Sequence, residues 1–375
     1  DEPLSIDHVT IAEMLKRAGY ATGMIGKWHL TGYRYHGAKL EIRPTDHGFE
    51  QELLCEIKGV GNGANFFPYV YRTQPISWLN VKRKRLPGEE YLVDRMNFEA
   101  VRFIEQHQDR PFFLYLSHYA VHTILNGKRE LVDKYRKKHL PGKSSRERCY
   151  LCEDAGLEGD AGNHWAQDHN PHLAAMLESI DDGVGMIINT LDRLQLADNT
   201  VVIFTSDNGG ETNVTSNAPL RSGKSSLYEG GIRVPLVVRW PRVVPPDTVC
   251  DEPTSCIDFY PTLLDCVGIT PDPRQHLDGV SLVSVLKNPD AELGRDALYW
   301  HYPLEEPHFL GGRSSGAVRR GAWKLIEHFD TGTIEIYNLS KDPGEQRNLA
   351  RKYPRQAAAL AKQLSDWRAD IGVHV

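Results

Sequence analysis

The 375-residue chain contains no apolar run of membrane-spanning length, which excludes a transmembrane helix. It has no low-complexity tract and no internal repeat, so disordered, collagen-like and solenoid architectures are excluded too. Neither sign of charge dominates: 44 Lys+Arg stand against 50 Asp+Glu, a formal net charge of −6, which argues against a wholesale nucleic-acid binder. Cysteine is sparse. Cys55, Cys149, Cys152, Cys250, Cys256 and Cys266 are too few to staple a miniprotein and fit either free thiols or a few bridges. The opening Asp1-Glu2-Pro3-Leu4-Ser5-Ile6-Asp7 lacks a methionine, a basic segment and an apolar segment, and is expected to be neither a natural start nor a signal peptide.

What is present is an ordinary globular composition, 40% hydrophobic and 25% charged. At about 150 residues per domain the length predicts two to three units. Asp7 reads as an N-cap, followed by Ile11, Met14, Leu15 and Ala18 at helical spacing and Gly19 as a stop. A short strand over residues 20–25 then ends in Gly26-Lys27-Trp28-His29. The order repeats with a helix over residues 91–106, an apolar run over 111–116, and Ser117-His118 through His122. It repeats again with a long helix over 173–196, a strand over 200–206, and Asp207-Asn208-Gly209-Gly210. Helices alternating with continuous apolar runs predict an α/β sheet covered on both faces, with the site beyond the carboxyl ends of its strands. The three polar clusters are therefore expected to converge. A further strand at 234–240 and a helix at 256–267 follow. A hairpin formed by residues 322–326 and 333–339 about Asp330-Thr331-Gly332, and a last helix over 354–367, mark a change of character. This predicts a large domain over 1–289 and a small α+β subdomain over 290–375.

Several of these residues are equipped for chemistry. Asp207 and Asn208 offer hard oxygen donors suited to Ca²⁺ or Mg²⁺, although Asp-Asn-Gly-Gly is also good turn chemistry. Lys27 and His29 alternate by two and would share one side of an extended segment, able to hold an anion and pass a proton; a solvated lysine beside a structural histidine is the bland reading. His122 is a candidate acid or ligand, while His118 could simply pack. Leu220-Arg221-Ser222-Gly223-Lys224-Ser225-Ser226 resembles the end of a phosphate loop, but Ala218 occupies the position of its first glycine. Arg221 and Lys224 nevertheless form an anion site. Cys149, Cys152, His164 and His169 approach zinc-finger spacing around an acidic, glycine-rich stretch, with a surface loop as the alternative. Lys82-Arg83-Lys84-Arg85 reads as a solvated basic run.

Three stretches in order, residues 19–30, Ser206-Asp207-Asn208-Gly209-Gly210, and residues 220–235 ending in Tyr228-Glu229-Gly230-Gly231-Ile232-Arg233-Val234-Pro235, resemble the type I sulfatases of the alkaline-phosphatase superfamily, bacterial carbohydrate sulfatases in particular. Residues 43–50 and 337–345 resemble weaker stretches of the same family. The resemblance implies a large, mostly parallel sheet sandwiched by helices, and a calcium-dependent hydrolase that cleaves sulfate esters through a formylglycine. It implies that Asp207 and Asn208 ligate Ca²⁺ (Mg²⁺ being the alternative), that Lys27 and Lys224 bind sulfate, that His122 faces the leaving group as general acid, and that His29 holds the hydrated aldehyde. Arg221 and His118 are expected, from their own positions, as substrate contacts. The family makes formylglycine from a Cys/Ser-x-Pro-x-Arg motif, and no such motif occurs in these 375 residues, nor do the paired aspartates expected before Gly26-Lys27-Trp28-His29. An upstream segment carrying nucleophile, aspartates, a first strand and an export signal is therefore expected, with the chain alone inactive. The expected substrate is a sulfated carbohydrate and the expected location periplasmic or extracellular, lysosomal in a eukaryote. A two-zinc phosphatase or phosphodiesterase, disfavoured by Asn208, and a non-catalytic sulfated-glycan-binding protein are the alternatives.

Overall fold

The structure, a computed structural model, describes residues 3–31, 42–55, 64–71, 74–75, 81, 83–138 and 170–373. Helix α1 (Ile11–Arg17) starts at Thr10 and not at Asp7. The Thr10 hydroxyl accepts from the Glu13 amide while the Glu13 carboxylate accepts from the Thr10 amide at 2.7 Å. This reciprocal box satisfies two orphan donors, whereas Asp7 is engaged locally with Ser5. Strand β1 (Ala21–Gly26) is buried along its whole length. It is flanked in parallel by β2 (Gln51–Leu53) and, after the minor antiparallel pair β3 (Val70–Tyr71) and β4 (Gln74–Pro75) and helix α2 (Leu92–Gln106), by β5 (Phe112–Ser117).

The register pairs Ala21 with Phe112 and Gly26 with Ser117, so β1 and β5 end level. Helix α2 lies close on this sheet because Gly23 has no side chain: a Cβ there would sit 2.4 Å from the Phe103 ring. Helix α3 (Arg129–Arg136) and the long α4 (Pro171–Arg193) complete the layer, α4 running against both α2 and α3. Ile25, Leu92, Met96 and Ala100 form the central core with Leu54 and Tyr69. Each large apolar side chain buried there contributes about 1.5–3 kcal/mol.

Strand β6 (Val202–Thr205) precedes the short α5 (Glu229–Ile232) and pairs antiparallel with β7 (Leu236–Arg239). The expectation of one large sheet is modified here: among the described residues the parallel sheet has three strands, and β6 with β7 forms a separate pair. Apolar runs that α/β burial would cover remain open between them, with Tyr115 50%, Phe204 42% and Val237 59% exposed. Helices α6 (Phe259–Cys266) and α7 (Val283–Lys287) lead to a four-stranded antiparallel sheet in the order β11 (Thr333–Asn338), β10 (Trp323–His328), β9 (Ser315–Arg320), β8 (Leu298–Tyr302). Helix α8 (Pro354–Asp370) covers it, packing Ala357, Leu360 and Leu364 on Val318, Leu325 and Ile336.

Candidate active site

Polar residues that the sequence placed after β1, β5 and β6 come within electrostatic reach of one another. Gly26, at φ 101°, takes a backbone conformation open to glycine and approaches β5 so closely that a Cβ would lie 2.0 Å from the Ser117 carbonyl. The Lys27 amide consequently donates to Ser117 O at 2.8 Å. Trp28 turns inward onto His47 and Phe49, its indole donating to Ile42 O. His29 sits at φ 51°, a strained backbone for a non-glycine residue of the kind found where function fixes a side chain.

The glycines of the two Gly-Gly motifs have a packing reason. A Cβ on Gly209 would lie 1.8 Å from Gly230 O, and the Gly209 amide donates to Gly231 O at 2.9 Å, so the turn after β6 and the turn into α5 touch backbone to backbone. Lys224 joins them, its amide donating to Gly210 O. Asn217 ties the same pieces from the side: its amide nitrogen donates to Gly210 O and Ser222 O, and its oxygen accepts from the Gly210 amide. The loop after β5 connects through the Thr123 hydroxyl, which donates to Glu211 at 3.1 Å.

Within this frame two lysines, two histidines and one carboxylate share an electrostatic neighbourhood. Partial burial, then Lys27, then Lys224 hold the His29 pKa below its usual value. His122 is lowered as well, chiefly by burial and further by Lys224 and Lys27, with its bond to Thr123 and the charge of Asp207 acting the other way. Both imidazoles are thereby held toward the neutral form. Nδ1 of His122 lies 2.6 Å from Thr123 O and therefore carries the proton, leaving Nε2 as the unprotonated nitrogen of the neutral ring. The arrangement can hold a tetrahedral anion between two ammonium groups beside a histidine whose protonation rises when that anion arrives.

Other expected residues are placed differently. The Arg221 guanidinium is held by Tyr337 Oη at 2.9 Å and the Glu345 carbonyl at 3.1 Å, and stacks 3.9 Å from the Tyr228 ring centre. Its contacts therefore fasten the 221–229 loop to the antiparallel sheet. His118 is partly buried with Nδ1 sealed from solvent and unbonded among the described residues, and burial pushes its pKa down to about 4. The folded ring binds its proton less tightly than the unfolded one, so the unfolded chain protonates first. Stability present above pH 6.5 is expected to drain as pH falls toward 4, by about 1 kcal/mol per unit from this group. Urea midpoints of the protein and its His118→Asn variant between pH 7 and pH 4 check this; parallel curves would contradict it. Within the basic run, Arg83 O accepts from Arg95 and the Arg85 amide donates to Glu90, while Lys82 lies outside the described residues. Cys149, Cys152, His164 and His169 also lie outside them.

Asp207 is exposed and Asn208 half-buried at the carboxyl end of β6. Their oxygens suit calcium in kind, but calcium takes about six to eight donors, and among the described residues no group of three His, Cys, Asp or Glu side chains gathers. Among the described residues the donor set is therefore short in number. Sequence reasoning missed Asn217 and Glu211, which tie the loops together. Their short spacing from Gly210 was the available hint, and nothing in residue type marked them.

The chain matches the family described as Sulfatase over residues 2–269 and the family described as N-sulphoglucosamine sulphohydrolase, C-terminal, over residues 222–370. A sulfatase of Formosa agariphila is 30% identical, the match covering 94% of this chain and 68% of that protein. An N-acetylgalactosamine-6-O-sulfatase of Bacteroides thetaiotaomicron is 27% identical over 95% of this chain and 76% of its own length. The crystal structure of Ps i-CgsB in complex with k-i-k-neocarrahexaose superposes with a TM-score of 0.77 at 25% identity, covering 97% of this chain and 75% of that one. Lys27, His29, His122, Asp207 and Lys224 are thus gathered on a fold shared with these proteins, and the chain belongs to the sulfatase family of sulfuric ester hydrolases.

Proposed function

We propose that this chain carries the sulfate-binding and proton-transfer half of a carbohydrate sulfatase active site, the nucleophile being supplied by a segment outside these 375 residues. The carrying observation is the neighbourhood in which Lys27 and Lys224 both act on His29 and His122. The two ammonium groups bind the sulfate ester and offset charge growing on its oxygens. The arriving negative charge opposes their effect on His122, raising its pKa so that Nε2 acquires the proton it then donates to the departing sugar oxygen. His29, on the Lys27 side, holds and exchanges the proton of the attacking group. Formylglycine, when present, supplies the oxygen nucleophile.

Two facts support a supplied segment. No Cys/Ser-x-Pro-x-Arg occurs in the chain, and among the described residues β5 and β6 are not joined in one sheet. The relatives named above support a sulfated sugar as substrate, and the same proposal carries the expectation of export. A non-catalytic glycan binder remains the second reading, favoured by the missing nucleophile motif alone.

The test is sulfate release from a panel of sulfated monosaccharides and oligosaccharides by two proteins made beside a formylglycine-generating enzyme: this chain, and the gene product with the residues encoded upstream of Asp1. Release is expected only from the longer protein. Turnover by the 375-residue chain at a comparable rate would remove the supplied-segment reading, and tight glycan binding without release by the longer protein would move the assignment to the binder.

A further inference from the structure

Between Arg221 and Glu229 the chain makes the loop that bears Lys224, and both ends of this loop are held by a single residue 116 positions downstream of Glu229. The Glu345 carbonyl accepts from Arg221 Nη1 at 3.1 Å, and its carboxylate accepts from the Glu229 amide at 2.6 Å. Glu345 is completely buried and stands at φ 51°. Its turn packs closely on the chain leading into the loop, for a Cβ on the preceding Gly344 would lie 2.7 Å from Pro219 O. Lys324, 0% exposed on β10, places its ammonium 2.9 Å from Glu345 and 2.8 Å from Glu229. One lysine thus faces two carboxylates, and the Arg319 and Arg233 guanidiniums stand 3.9 and 4.0 Å from Glu229.

The loop itself is strained. Ser222 and Ser225, on either side of Lys224, have φ of 62° and 71°, a region that L residues enter only when the surroundings impose it. A buried charge cluster is an expensive way to gain stability alone, because desolvation consumes most of the Coulomb attraction. It is better suited to enforcing one arrangement of the groups that it satisfies.

We propose that Glu345, neutralised by Lys324, is a positioning residue for Lys224: by closing the 221–229 loop at both ends it fixes where the Lys224 ammonium meets the sulfate. The C-terminal sheet is then part of the sulfate-binding apparatus, although none of its groups need touch the anion. This rests on the reading of Lys224 as a sulfate ligand given above.

The test combines titration of inorganic sulfate with amide hydrogen exchange on the 375-residue chain and its Glu345→Ala, Glu345→Gln and Lys224→Ala variants. Glu345→Ala is expected to raise the sulfate Kd at least tenfold and to speed exchange at residues 220–229 while β1, β5 and α8 exchange as before. Glu345→Gln, which keeps an acceptor for the Glu229 amide, should recover most of that affinity. Added to Lys224→Ala, Glu345→Ala should cause no further loss, since it acts through Lys224; a purely structural role would not produce this coupling. An unchanged Kd in folded Glu345→Ala overturns the proposal. Should the unaltered chain take up no sulfate, the ligand role of Lys224 fails by itself, and unaltered exchange of the loop in Glu345→Ala would separately overturn the clamp. If Glu345→Ala does not fold, Glu345→Gln carries the decision: a twofold to fivefold rise in Kd with faster loop exchange is expected, and no change in either overturns it.

Discussion

Lys224→Ala is expected to weaken sulfate binding by about ten- to a hundredfold and to raise the pKa of both His29 and His122. The first figure follows from removing one charge-assisted contact, worth about 1.5–3 kcal/mol. The second follows from position: Lys224 lowers both imidazoles, and so does Lys27. Burial, the leading cause at each ring, is untouched by the substitution, so both pKa values should climb toward their usual range without reaching it. Lys224→Arg keeps the charge and should leave the rings close to their original titration. Proton NMR of the two Cε1–H resonances across pH 4–8 reads both effects, and rings that titrate identically in Lys224→Ala would separate Lys224 from the histidines. The direction matters for chemistry. Because the lysines add to burial in holding the His122 pKa down, an anion that compensates them favours the protonated ring, and bound sulfate should raise the His122 pKa in the unaltered chain.

Arg95→Ala is expected to cost about 3–5 kcal/mol of stability, the usual penalty for stranding buried carboxylates. Arg95 is 2% exposed and bridges Glu90 and Glu99 at 2.8 Å each, with Arg83 O as a third acceptor. Glu90 is further bonded to Tyr69 Oη and to the amides of Arg85 and Leu86, so this single cluster fixes the turn that leads into α2. The damage should reach the site. Met96, next along α2, lies against Gly26, where a Cβ would meet its Cε at 2.2 Å, and Gly26 sets the course of Lys27. Urea denaturation measures the loss. Replacing the cluster as a unit, Arg95→Met with Glu90→Gln and Glu99→Gln, should recover most of it, because the charges then left without Glu99, Arg102 and Arg85, are a third or more exposed and stay solvated. A loss below about 1 kcal/mol in Arg95→Ala would show that water reaches the two carboxylates.

Much of this protein was legible in residue order. The apolar runs that became β1, β5 and β6, the helices α2, α4 and α8, and the β10–β11 hairpin follow from hydrophobic periodicity with glycine and proline as punctuation, since those signals are local. So was the candidate site, because an α/β sheet presents the residues just past its strand ends to one region. The start of α1 was misjudged by three residues, since the Thr10–Glu13 box gives two bonds and Asp7 had only its residue type to recommend it. Helix α3 escaped notice: its eight residues hold one buried side chain, too little for a periodic signal.

The sequence by itself determined the family, the strand-end placement of Lys27, His29, His122 and Asp207, and the absence of the nucleophile motif. These depend on residue identity and short spacing. Tertiary structure alone decided that Arg221 grips the antiparallel sheet, that Asn217 and Glu211 tie the loops together, that β5 and β6 lie in separate sheets among the described residues, and that Glu345 closes the Lys224 loop. The physical reason is distance along the chain. A charge or a carbonyl is satisfied by whichever partner folding brings within about 3 Å, and for Arg221, Glu229 and Lys324 those partners lie about a hundred residues away, where no local pattern records them.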